Sequence, residues 1–286
     1  MTSPAPTPLA GGGLLLHLSG PLQSWGERSR FNERDTATGP TRSGLIGLFA
    51  AALGRRRDEP LSDLRALHFT VRFDRPGTRL RDFHTVGGGM PRHLTVATAE
   101  GKRRSGETGT LVSDRYYLQD ASFTVAVTSD SPDLLQRCAH AIRYPKWPLY
   151  LGRRSCPPSG PVLLANVAKE PLKHLIRLPL ARTPMRGHHR RPNQPALESV
   201  EFASDLPLAH LAETARVDFP ALQIPDVLTG EAHDEPVSFS TLDRRYRSRI
   251  HYRTTLPLPA DRCAGSGADY LSAITTYLQG EREALR

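Results

Sequence analysis

Cysteine is scarce in this chain of 286 residues: Cys138, Cys156 and Cys263 are far apart, odd in number and without CxxC spacing. That excludes a disulfide framework and a zinc ribbon, and it fits a reducing cytoplasm. Long apolar runs are missing as well. No stretch approaches the roughly 20 apolar residues that a membrane span requires, so no membrane is expected among the partners. Met1–Gly13 is rich in Pro and Gly and has no basic n-region, which reads as a flexible leader and not as a signal peptide. No GxSxG, Walker or GxGxxG sequence occurs, and Gly87-Gly88-Gly89 reads as a hinge. HxxxH and HExxH spacings do not occur either. His188-His189 can be combined with His84, His93 or His174 as metal ligands, but adjacent His in an Arg-rich loop more often face solvent or phosphate. Neither a metal nor another cofactor is expected.

Acidic residues are the minority charge. Thirty-eight Lys and Arg against 29 Asp and Glu leave a net charge of +9. Such an excess favours nucleic acid, acidic proteins or anionic membrane, and the clustering of Arg favours nucleic acid. With 38% hydrophobic and 23% charged residues, the composition is that of a folded protein with one large domain or two modest ones.

Leu14-Leu15-Leu16-His17-Leu18, ended by Ser19-Gly20-Pro21, predicts a buried first strand, followed by a polar, Arg-rich loop. Gly39-Pro40-Thr41-Arg42-Ser43 then starts a helix with Leu45, Leu48, Phe49, Ala52 and Leu53 on one face. Leu67, Phe69, Val71 and Phe73 alternate with His68, Thr70, Arg72 and Asp74, the period of a half-buried strand. Phe123, Val125 and Val127 mark another. Ser131-Pro132-Asp133 caps a second helix that Pro145 ends, and Val162–Ala165 supplies a further strand. The expected fold is α+β: a ferredoxin-like (RRM-like) βαββαβ domain over 14–167. An insertion at about 84–117 is expected to form a β-hairpin thumb, with Thr95-Val96-Ala97 and Thr110-Leu111-Val112 as arms and basic residues near Gly101 at its tip. A small β-rich C-terminal part and tail fill 168–286, with short strands at Val237–Ser240 and Ile250–Arg253, two basic segments (186–191 and 244–249) and an amphipathic tail helix through Tyr270, Ile274 and Tyr277.

No residues assemble a catalytic set by spacing. A metal-independent ribonuclease would need one group to take the 2′-OH proton and another to protonate the leaving oxygen; His84, Tyr116, Lys146 or Tyr150 can be nominated, but nothing selects them. Binding features are clearer. Gln23-Ser24-Trp25 follows the first strand, and Trp25 is either a stacking plate for a base or a core residue. Thr41, Arg42 and Ser43 lie at a helix N-terminus, where free N–H groups and the dipole favour phosphate; the alternative is ordinary capping. Arg153 and Arg154 stand beside Gly152, with guanidinium forks suited to phosphate oxygens.

Five blocks in order carry a resemblance: Leu18–Gly26, Pro40–Leu48, Arg81–Val86, Tyr117–Ala126 and Pro148–Pro157. Weaker ones follow at Thr183–Arg191 and Asp234–Phe239. They resemble the RAMP-family subunits of type I-E CRISPR Cascade surveillance complexes that cap the crRNA 5′ handle in antiviral defence. The resemblance implies a non-catalytic, cytoplasmic subunit that holds the handle between thumb and core. Its partners would be the crRNA, the Cascade backbone subunit, the large PAM-reading subunit and, indirectly, target DNA. Carried over residue by residue, it points to Gln23, Ser24, Trp25, Arg42, Ser43, His84, Arg115, Tyr117, Arg153 and Arg154 for RNA. Arg42, Arg115 and Arg153 are the foremost handle contacts, and Lys102, Arg103 and Arg104 are expected at the thumb tip or on a partner. Some relatives of other subtypes process precursor RNA, so a metal-independent endoribonuclease acting on CRISPR repeat RNA is the alternative.

Overall fold

The computed structural model describes residues 11–27, 32–98, 101–104, 109–167, 169–184, 196–219, 226–240 and 243–284. Most of the segment 1–13, expected as a leader, and the basic segment 186–191, with His188-His189, lie outside them.

The first 167 residues contain β1 (Gly13–Ser19), α1 (Arg42–Ala52), β4 (His68–Arg75), β7 (Ser122–Thr128), α2 (Pro132–Arg143) and β8 (Leu163–Val167), a mixed α+β arrangement. Its strands lie in the order β4-β7-β1-β8 and pair antiparallel. The local signals explain the helices. Thr41 Oγ1 accepts the Gly44 N–H at the start of α1, and Ser131 Oγ accepts the Leu134 N–H at the start of α2. Leu45, Phe49, Leu134, Cys138 and Ile142 then pack on the sheet face formed by Leu14, Leu16, Phe69, Phe123 and Val125.

The opposite face is covered too, against the expectation of half-buried strands. Leu15, Ala126, Val200 and Leu256 meet α3 (Pro171–Arg177), α4 (Ala209–Asp218) and α5 (Ala268–Ala284) through Leu175, Leu211, Tyr270 and Ile274. Arg72 and Asp74, outward-facing by the period, are therefore fully buried and paired at 2.8 Å. The Arg72 guanidinium also donates to the carbonyls of Leu175, Leu178 and Pro179. Buried charge is tolerated here because partners satisfy it.

The C-terminal part, expected as a separate small domain, extends the same sheet. β9 (Leu197–Ser204) pairs with β4, β11 (Arg245–Pro259) with β9, and β10 (Leu228–Ser238) with β11, giving β10-β11-β9-β4-β7-β1-β8. The open edge of β4 offers unpaired backbone groups, and adding strands satisfies them. The two short strands expected here are pieces of β10 and β11, which run 11 and 15 residues.

The thumb is a hairpin of β5 (Thr78–Val86) and β6 (Leu111–Gln119), in register from Thr78↔Gln119 to Val86↔Leu111. The expected arms are thus corrected: Leu111 and Val112 pair with Val86 and Thr85, not with 95–97. The many exposed positions of β5 hide its alternation. On its inner side β6 also pairs with β2 (Leu22–Gln23) and β3 (Glu33–Arg34) in a second, four-stranded sheet.

His17 lies on the face covered by α5, with its ring 4.7 Å from that of Tyr270 and its Nε2 3.0 Å from Ser122 Oγ. Burial lowers its pKa from 6.5 to about 4. The unfolded chain takes up this proton below about pH 6.5 and the folded one only near pH 4. Stability is therefore complete above pH 6.5 and falls as pH drops through that window, by about 3 kcal/mol from this group. Urea midpoints measured from pH 7 to pH 4 should fall less steeply for His17→Gln than for the parent chain.

Candidate nucleic-acid interface

The residues expected around the thumb base fall into two groups, one buried and one facing outward. Gln23 is fully buried and its Nε2 donates to Leu18 O and Ala121 O at 3.0 and 2.8 Å. Its Oε1 accepts from Trp25 Nε1 at 3.0 Å. Trp25, at 1% exposure, packs against Gly44 of α1, so the stacking reading gives way to a core one. Ser24 is also buried and donates to Tyr116 O at 2.9 Å. These three residues weld the turn after β1 to β6; their amphipathic side chains are used internally.

Tyr117 is buried as well, but its ring carries the Arg153 guanidinium 4.9 Å from the centroid. Arg153 donates to Tyr116 O at 3.3 Å, Arg34 O at 2.7 Å and Asp35 O at 3.3 Å. The loop that carries it depends on Gly152, at φ +86°, where a Cβ would collide with the Ser24 carbonyl. Arg154 beside it is exposed.

Arg115 shares the Tyr117 face of β6, two residues and so about 7 Å along the strand. Its Nε donates to Ser113 Oγ at 3.2 Å. Arg34 stands directly across from Arg115 in the parallel β3–β6 pairing. Sequence reasoning missed Arg34; the only signal was the Arg-rich character of the loop after β1. Arg34, Arg115, Arg153 and Arg154 form no ion pair among the described residues. Asp82 stands across from Arg115 on the β5 side, so Arg115 lies between a like charge and a carboxylate, with no ion pair to either strand.

On the same face but on the other arm, β5, His84 Nδ1 lies 3.2 Å from Asp82 Oδ2, both partly exposed. The outer face holds Arg81, bound through two 3.0 Å hydrogen bonds to Asp114, and Arg79 over the Tyr116 ring at 4.2 Å. Farther out, Lys102 and Arg103 are exposed at a tight turn in which Thr98 N–H donates to Lys102 O and Arg103 donates to Thr95 O. Arg104 is half-buried, its carbonyl held by Thr95 Oγ1.

Arg42 and Ser43 lie apart from this group. The Arg42 side chain is 5% exposed and is ion-paired to Asp205 and Glu235, while it donates to Leu67 O and Arg65 O. Its backbone N–H, at the start of α1, donates to Asp234 Oδ2 at 2.6 Å. A protein carboxylate thus occupies the place expected for phosphate. Arg249 joins the network, 2.7 Å from Asp234 and 3.0 Å from Asp205. Ser43 Oγ lies 3.4 Å from Thr41 Oγ1, a capping contact. A cavity of about 320 Å³ opens beside this network, lined by Glu27, Asp205, Glu231 and Asp234 as well as Arg42 and Arg253. Arg249 lines it too, so three arginines face four carboxylates and the charges nearly balance.

The described residues contain no cluster of three or more metal-ligating side chains and no helix long and apolar enough to cross a membrane. Fold and site together define a basic α+β protein with a thumb and, at the thumb's base, a group of arginines with no ion pair among the described residues. The family model for the CRISPR-associated protein Cas5 matches residues 13–255, and the chain belongs to that family. It is 38% identical over 178 residues to the Cascade subunit CasD of Escherichia coli K12, covering 57% of this chain and 75% of that one. A chain in a solved CRISPR RNA-guided surveillance complex superposes with a TM-score of 0.74 at 41% identity, covering 93% of this chain and 99% of its own. A crystal structure of a Cas protein superposes at 0.55 with 31% identity, covering 89% and 98%.

Proposed function

We propose that this chain is a non-catalytic subunit of a type I-E Cascade surveillance complex. It grips the 5′ handle of the crRNA between thumb and core, on a ferredoxin-like body, and anchors the backbone and PAM-reading subunits. Kinship with a Cascade subunit supports the assembly; the strand order β4-β7-β1-β8 supports the body. The observation that carries RNA binding is the contrast between two sets of arginines. Arg42 and Arg72 are buried, and Arg249 half-buried, against carboxylates, whereas Arg34, Arg115, Arg153 and Arg154 stand around one arm of the thumb with no ion pair among the described residues. Phosphate oxygens suit the second set, which fixes the strand's position without reading its sequence.

Arg153→Ala combined with Arg154→Ala should sharply lower the crRNA recovered with purified complex. In the isolated chain, removing one phosphate-binding arginine should flatten the dependence of log affinity on log salt by about one unit. Undiminished crRNA in the double variant would refute the assignment.

The second reading is a processing ribonuclease, for which the His84–Asp82 pair is the specific observation: a carboxylate on Nδ1 leaves Nε2 to take a proton. Incubating the chain with repeat RNA in EDTA separates the two. Intact RNA is expected; site-specific cleavage lost in His84→Ala would establish the enzyme.

A further inference from the structure

Between Asp133 and Glu170 the chain contains no acidic residue, yet it carries Arg137, Arg143, Lys146, Arg153, Arg154 and Lys169. In this band, among the described residues, only Arg137 pairs with a carboxylate, Asp63 at 3.9 Å. In the middle of it, where α2 ends, six consecutive residues from Arg143 to Pro148 are exposed. Two of them are large aromatics: Tyr144 is 67% exposed and Trp147 40%. The Tyr144 ring lies 5.1 Å from that of His140, and neither aromatic belongs to a core cluster. Pro145 and Pro148 stiffen the segment, and the Lys146 N–H donates to Ala52 O at 2.8 Å, which ties it to the C-terminal end of α1. From there the chain runs back along α1 to Leu151, whose carbonyl accepts the Ser24 N–H at 3.1 Å, and reaches Arg153 and Arg154. A helix of 11 residues is about 16 Å long, so the aromatic segment, with Arg143 and Lys146, and the thumb-base arginines stand toward opposite ends of α1, with no basic residue between Lys146 and Arg153.

We propose that Tyr144 and Trp147 form a stacking platform for unpaired bases, which extends the RNA-binding surface from the thumb base along α1. The proposal rests on the RNA-gripping role argued above and adds a site to it. Cationic groups that follow a backbone, interleaved with exposed rings that take the bases, are what single-stranded nucleic acid binding requires. An acidic protein would be attracted by the same charge, and unpaired bases add to that attraction a π-face for each ring.

The two tryptophans make the test direct, because Trp25 is 1% exposed and Trp147 is on the surface. Titrating the full chain with a short oligoadenylate RNA at low salt should quench Trp147 emission in step with binding measured by anisotropy of a labelled RNA. Trp147→Phe, whose remaining indole is Trp25, should bind nearly as well with no quenching. Trp147→Ala should bind roughly tenfold to a hundredfold more weakly. Polyphosphate, which has charge but no bases, should compete for binding without quenching. RNA that binds while Trp147 emission stays constant, or equal affinity of Trp147→Ala and the parent chain, would overturn the platform and leave the thumb-base role standing. Quenching by polyphosphate as strong as by RNA would overturn it also. Absence of any RNA binding would remove both.

Discussion

Arg42→Ala should destabilise the fold by about 3–5 kcal/mol, the cost of removing one partner from a buried ionic network. The substitution leaves Asp205, Asp234 and Glu235 facing one another with Arg249 as their remaining cation, and it deprives Leu67 O and Arg65 O of a donor. The network joins the first turn of α1 to β10 and β11, elements almost two hundred residues later in the chain, so its loss should loosen the β10–β11 hairpin first. Urea denaturation checks the size of the effect. Hydrogen exchange checks its place, with protection in 228–238 and 245–253 dropping before that of β1 and β7. An unchanged midpoint together with lost RNA would show instead that Arg42 is a handle contact and that the ionic network contributes nothing measurable.

Arg72→Leu should cost a similar amount, about 3–5 kcal/mol, for a related reason. Neither Arg72 nor Asp74 is exposed at all, and Asp74 also accepts from Thr124 Oγ1. Without the guanidinium, Asp74 is a buried carboxylate left with that hydroxyl as its side-chain donor among the described residues, and the carbonyls of Leu175, Leu178 and Pro179 lose the donor that Arg72 supplies. These carbonyls lie at the end of α3 and just after it, so the pair fastens the C-terminal layer to the central strand β4. Arg72→Met with Asp74→Leu should recover part of the loss, since two apolar groups of similar volume carry no uncompensated charge. A double variant worse than Arg72→Leu alone would mean that the pair itself, and not the orphaned carboxylate, supplies the stability.

Both predictions concern arginines that composition counts as RNA-binding charge. Arg42 and Arg72 contribute to the net +9 just as Arg153 does, yet one set is spent inside the protein. Arg42 sits after a Gly-Pro-Thr helix start, the local pattern of a phosphate site, and nothing nearby in sequence announces the carboxylates that fill it. They come from Asp205, Asp234 and Glu235, brought to α1 by strand pairing far along the chain. Arg34 illustrates the reverse case. It lies in a loop without periodicity, and only its pairing with β6 sets it across from Arg115.

What the amino-acid order determined by itself is local. The buried run of β1, the caps of α1 and α2, the apolar faces of those helices and the alternation in β4 and β7 each arise from groups within a few residues of one another, where capping and side-chain period act. The thumb was legible as an interruption but not as a hairpin of given register, because β5 is exposed on both sides for most of its length and shows no clear period. Only the tertiary structure decided which face of each strand meets water, since that depends on whether α3, α4 and α5 return to cover the second face. It decided equally which arginines are free. A guanidinium's partner is chosen by proximity in space, and carboxylates more than a hundred residues away, invisible to any short window, neutralise one arginine and leave another open to a ligand.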